Sequence, residues 1–158
     1  MRTDPNSYDN DVVAWANEQA RLLRAGCFDA LDIEHIADEI EDVGKSEQRE
    51  LASRMAALLA YLLKWQLQPI RRGASWEVTV RNQRKAITLH LKQVPSLKAK
   101  LGDAEWWEVV WGDAISQAAT DTGIGDFPES CPWTFDRIMN PEFKETGSGL
   151  TRNSLCAV

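Results

Sequence analysis

The sequence predicts an all-α fold, an antiparallel bundle of about four main helices with a short C-terminal helix and a flexible tail. Three observations carry this. Apolar residues recur at intervals of three and four along most of the chain, no stretch alternates convincingly as a strand does, and the connectors between periodic segments are short. At 158 residues the chain is long enough to bury a core without disulfides or metal. Residues 8–143 are therefore expected to form a single helical domain, and the Gly/Ser/Thr/Asn-rich residues 144–158 a flexible tail.

The first helix is expected over Tyr8 to Ala25, where Tyr8, Val12, Trp15, Ala16, Ala20 and Leu22/Leu23 share a face. Gly26 follows as the left-handed stop. Asp32 reads as the next N-cap. Beyond it Ile33, Ile36, Ile40, Val43, Glu47, Leu51, Met55, Leu58, Leu62 and Trp65 hold one phase. Gly44 interrupts composition but not phase, and a helical glycine costs only roughly 1 kcal/mol relative to alanine. One long helix with a single buried stripe is expected, ended by Pro69.

Ser75 is the expected cap of a third helix running to about Val94. Its buried face is Trp76, Val80, Gln83, Ile87, Leu91 and Val94, with Arg81, Arg84, Lys85 and Lys92 largely off that face. After Pro95-Ser96, the residues Leu97, Leu101, Ala104, Trp107, Trp111, Ile115 and Ala118 predict a fourth helix reaching Gly123 despite Gly102. Gly123 to Trp133 has loop composition. A short helix at Thr134 to Met139 follows, stopped by Asn140-Pro141.

Several function classes are disfavoured. The most apolar run, Met55 to Leu63, falls far short of the roughly twenty residues a bilayer span needs, so no membrane role is expected. Met1 to Asp11 is polar and lacks a signal-type apolar stretch, which makes the cytoplasm the expected compartment. Cys27, Cys131 and Cys156 are widely spaced with no Cys-x-x-Cys pair, which argues against a disulfide framework and a zinc knuckle. The net charge is −6, yet Lys64 to Lys100 holds nine Lys or Arg against one acid, Glu77. Neutralisation of this basic segment by the protein's own carboxylates is the first expectation, ahead of nucleic-acid binding.

Several separate blocks occur in an order that resembles a known family. They are Leu31-Asp32-Ile33-Glu34, Glu39 through Glu47, Leu62-Leu63-Lys64-Trp65-Gln66, and Ser75-Trp76 with Arg81, Gln83 and Arg84. Pro95-Ser96-Leu97 and Phe127-Pro128-Glu129-Ser130-Cys131-Pro132-Trp133 complete the set. From about Tyr8 to Phe143 the chain is similar to the bacterial family known as domain of unknown function 29. The resemblance implies a compact helical fold and no particular activity. One departure is at position 61, where family members often carry histidine and this chain has Tyr61, which reads as an aromatic packing site.

Four constellations are candidates for function. Trp15, Trp65, Trp76, Trp107, Trp111 and Trp133 read as core anchors, whereas one of the adjacent Trp106 and Trp107 is expected to face outward or toward a partner. His35 and Glu39, spaced i, i+4, are a metal-site alternative to a solvated acidic face partly paired with the third helix. Arg71, Arg72 and Ser75 at a helix start suggest an anion site, against the simpler reading that Ser75 caps and the arginines pair with acids. Arg81, Arg84, Lys85 and Lys92 are the nucleic-acid alternative. No dinucleotide fingerprint, phosphate loop or nucleophile elbow is present, so no cofactor is expected. The leading function is a non-enzymatic interaction module that binds another protein or itself. An anion or nucleic-acid binder is second, and a metal-dependent enzyme third.

Overall fold

The computed structural model describes residues 4–143. The expected tail, 144–158, lies outside the described residues. Five α-helices follow one another: α1 Val12–Ala25, α2 Ile33–Leu67, α3 Ala74–Gln93, α4 Ala104–Thr122 and α5 Phe135–Met139. Tight 3-10 turns sit at Phe28–Ala30, Pro69–Arg71 and Pro95–Gly102, and no strand occurs among the described residues. The fold is an all-α helical bundle, four main helices and a short fifth. Its contacts divide into two compact units, Met1–Ser46 and Glu47–Val158, with α2 contributing to both.

In the first unit α1 begins at Val12, four residues later than the apolar spacing suggests, because Asp11 accepts the Ala14 N–H at 3.0 Å and caps it. Tyr8 is left in the preceding turns. It nevertheless packs edge-on against Trp15 and stacks on His35, with ring centroids 4.9 and 4.1 Å away. Gly26 ends α1 with φ 72° and donates to the carbonyls of Leu22 and Leu23.

The second helix runs unbroken through Gly44. The single buried stripe does not. Ile33, Ile40 and Val43 are each 67% exposed, while Leu51, Met55, Leu58 and Leu62 are fully buried. The reason lies in what the first unit offers α2. Tyr8 and Trp15 engage Asp32, His35 and Glu39, a face rotated one residue from the isoleucines.

The second unit holds the main core. Leu51, Met55, Leu58, Leu59, Leu62 and Leu63 of α2 pack with Val80, Ile87 and Leu91 of α3 and with Val110, Trp111, Ala114 and Ala118 of α4. The third helix is preceded by Gly73 as N-cap, so Ser75 lies inside the first turn and does not cap it. The fourth helix is shorter than expected. Pro95–Gly102 winds as 3-10 turns, and Asp103 then caps α4 by accepting the N–H groups of Glu105 and Trp106 at 3.0 and 3.4 Å. Neither tryptophan of the adjacent pair points into solvent. Trp106 is buried, and Trp107 packs edge-on to it at 4.9 Å and donates from Nε1 to the Leu101 carbonyl. α5 forms where expected, capped by Thr134.

The loop before α5 is fixed by tryptophan. Trp111 donates from Nε1 to the Pro128 carbonyl at 2.8 Å, and Trp133 packs edge-on against Trp111 and Phe143. Core anchoring accounts for the Phe127 to Trp133 block.

Candidate functional site

An open groove of about 700 Å³ runs along α3 and is lined also by Met139 and Pro141. Val80 and Leu89 give it apolar walls, and Arg81, Lys85 and Lys92 line it with positive charge. Their spacing on α3, i, i+4 and roughly two turns further, puts the three on one side of the helix. All three are exposed, and among the described residues none makes an ion pair. Among the described residues of the second unit no carboxylate neutralises these cations. Glu41 and Asp42 are met on their own helix by Lys45 and Glu50 by Arg54, whereas Glu47 is met by His90 of α3.

Arg84 departs from the other three. It is 7% exposed and donates from Nε to the Ile138 carbonyl at 2.9 Å and from Nη1 to the Pro141 carbonyl at 3.4 Å. Its Nη2 is buried with no partner, and burial pushes the guanidinium below its ordinary value. It holds α5 and Pro141 on α3, so its role in this surface is structural support rather than a free cation.

Lys64 is likewise internal. It is ion-paired to Asp121 at 2.9 Å, and its ammonium lies 3.7 Å from the centre of the Tyr61 ring. Tyr61 thus supplies an aromatic face to a buried cation, the packing role read for that position. Arg72 donates from Nε to the Trp65 carbonyl at 2.6 Å, satisfying one of the last carbonyls of α2, and Arg71 is exposed. The structure therefore puts Arg71, Arg72 and Ser75 at the α2–α3 connection, with Arg72 engaged by α2.

His35 and Glu39 do not converge on a common point. His35 Nδ1 shares a 2.7 Å hydrogen bond with Asp32 Oδ2, which also accepts Trp15 Nε1 at 2.9 Å. Glu39 accepts the Tyr8 hydroxyl at 2.7 Å. That bond pushes the Tyr8 phenol up to about 12, and the hydrogen bond that the His35 ring donates to Asp32 raises His35 while lowering Asp32.

A different set was missed by sequence reasoning. Glu47 and Glu50, three residues apart on α2, meet His90 of α3, with one ligand atom from each lying within 4.8 Å of the others. His90 Nε2 is 2.6 Å from Glu47 Oε2. Forty-three residues separate this pair, and no local motif announces it.

A family model described as Domain of unknown function DUF29 matches residues 7–144. The chain belongs to that family. No curated protein and no solved structure matches it. As a DUF29 member it inherits an expectation about fold, and the residues that carried the resemblance divide accordingly. Leu62, Leu63, Lys64 and Trp133 are buried, whereas Arg81 faces out into the groove. Among the described residues no helix is long and apolar enough to cross a membrane.

Proposed function

We propose that this protein is a non-enzymatic interaction module of the bacterial cytoplasm whose α3 groove receives an acidic, amphipathic segment of a partner protein. One observation carries the reading: Arg81, Lys85 and Lys92 stand exposed and unpaired beside apolar walls formed by Val80, Leu89, Met139 and Pro141. A helix with leucine or isoleucine on one side and Asp or Glu flanking it satisfies both features at once. Its apolar side chains leave water against the walls, and its carboxylates meet the cations, which sets orientation and speeds encounter.

Nucleic acid fits the groove less well. Among the described residues no aromatic side chain lines it to stack a base, and Glu77 sits among the cations.

The test is fluorescence anisotropy with a synthetic Leu/Glu amphipathic helical peptide, and in parallel with single-stranded and duplex DNA. The peptide is expected to bind, and Arg81→Glu with Lys85→Glu to weaken it by about tenfold or more. Leu89→Asp, at a site already 53% exposed, is expected to weaken it without unfolding the chain. DNA binding that falls steeply with salt, with no peptide binding, would replace this reading by the nucleic-acid one. Binding of neither would end both.

A further inference from the structure

We propose that Glu47, Glu50 and His90 form a site for a divalent transition-metal ion held between α2 and α3. Glu47 and Glu50 are three residues apart and so project from the same side of α2 toward the neighbouring helix. His90 comes from α3, and a ligand atom from each residue lies within 4.8 Å of the others. A tetrahedral ion with bonds of about 2.0–2.2 Å holds its ligands roughly 3.3 Å apart. Small rotations of two glutamates bring these atoms to that spacing.

The two carboxylates have capacity to spare. Both hydrogen bonds from Arg54 fall on Glu50 Oε1, and Glu50 Oε2 has no partner among the described residues. Glu47 engages His90 through Oε2, and its Oε1 has none among the described residues either. Arg54 orients Glu50 as the outer partner of a metal-binding carboxylate does. The His90 side chain is 8% exposed, which holds the ring in place, and its Nε2 shares a 2.6 Å hydrogen bond with Glu47 Oε2 that an ion would replace, leaving the ring proton on the buried Nδ1. A cavity of about 230 Å³, lined by Glu47, Glu50, Arg54 and His90, supplies an entry path and room for water ligands.

One imidazole nitrogen with two carboxylates suits Zn²⁺, Co²⁺, Mn²⁺ or Ni²⁺, whereas Ca²⁺ and Mg²⁺ prefer oxygen alone. Three protein ligands leave at least one coordination position open. The site owes nothing to the α3 groove reading and stands or falls separately from it.

Calorimetric titration of Zn²⁺ into the chelator-treated full-length chain tests it, with Co²⁺ absorption as a report on geometry. One ion per chain is expected. Glu50→Gln and His90→Gln should each weaken binding by about tenfold or more, while His35→Gln and Cys27→Ser leave it unchanged. Glu50 is at the surface, so its variant reports even if the His90 variant misfolds. Absence of Zn²⁺ binding overturns the proposal. So does binding that survives both ligand variants, or that disappears with His35 or Cys27.

Discussion

His35 is the residue whose surroundings make the sharpest statement about pH. Asp32 Oδ2 accepts both the His35 ring and the Trp15 indole, and Tyr8 stacks on the other face of the imidazole. The hydrogen bond to Asp32, helped by the charges of Asp32, Asp9 and Asp38, holds His35 above its ordinary 6.5, and the same bond holds Asp32 below 3.8. A raised histidine stabilises the fold fully below its unfolded value, and that contribution is lost as pH rises through the folded one. A lowered carboxylate stabilises above its unfolded value, and that contribution is lost as pH falls through the folded one. The Asp32–His35 pair therefore contributes its full stabilisation between about pH 3.8 and 6.5. Following the His35 ring proton by NMR should show a titration above the usual histidine range that returns toward it in Asp32→Asn. A titration indifferent to Asp32 would remove this account.

At the scale of the element, α2 shows how far a sequence pattern reaches. Gly44 lies in its interior, has no positive φ, and an added Cβ there meets nothing within 4 Å. Gly44→Ala is expected to stabilise the protein by about 1 kcal/mol, read from urea unfolding, since only backbone entropy opposes helix at that position. A destabilised variant would mean that the glycine serves a partner the chain alone does not reveal. The continuity of α2 was legible because propensity costs at one residue are small beside thirty-five residues of helix. The burial of its first half was not legible. Ile33, Ile40 and Val43 keep helical phase, but phase specifies a face and not what covers it. Helix ends were misread where two caps competed: Asp103 outdid Pro95-Ser96 as the start of α4, and Gly73 displaced Ser75 at α3. The candidate sites depended on pairings far apart in sequence. Spacing could put Arg81, Lys85 and Lys92 on one side of a helix, but only the fold separates them from Arg84, whose partners are carbonyls more than fifty residues away.

For the molecule as a whole, the apolar content is shared unequally between the two units. The second carries the core from Leu51 to Phe143, where Trp111 and ten leucine, isoleucine, valine and methionine side chains are shielded from water. Among the described residues of the first, Trp15 and Leu22 are the buried hydrophobics, joined by the ring contacts of Tyr8 and by polar bonds such as those at Asp32 and Glu39. Each fully buried leucine contributes roughly 1.5–3 kcal/mol before entropy is subtracted, whereas a net hydrogen bond contributes about 0.5–1.5 kcal/mol. Local opening should therefore cost less in the first unit than in the second. Native-state hydrogen exchange provides the measurement. Amides of Leu58 to Leu63, Ile87 to Leu91 and Val110 to Ala118 are expected to exchange only through global unfolding. Amides of α1, and of α2 before Gly44, are expected to exchange through smaller openings that depend little on denaturant. Along the single helix α2, protection should rise in passing from Val43 to Leu51 even though the hydrogen-bond ladder is continuous, because tertiary packing rather than the ladder sets helix stability in water. Uniform protection along α2 would show that the exposed isoleucine face is stabilised by something other than the buried contacts of this chain.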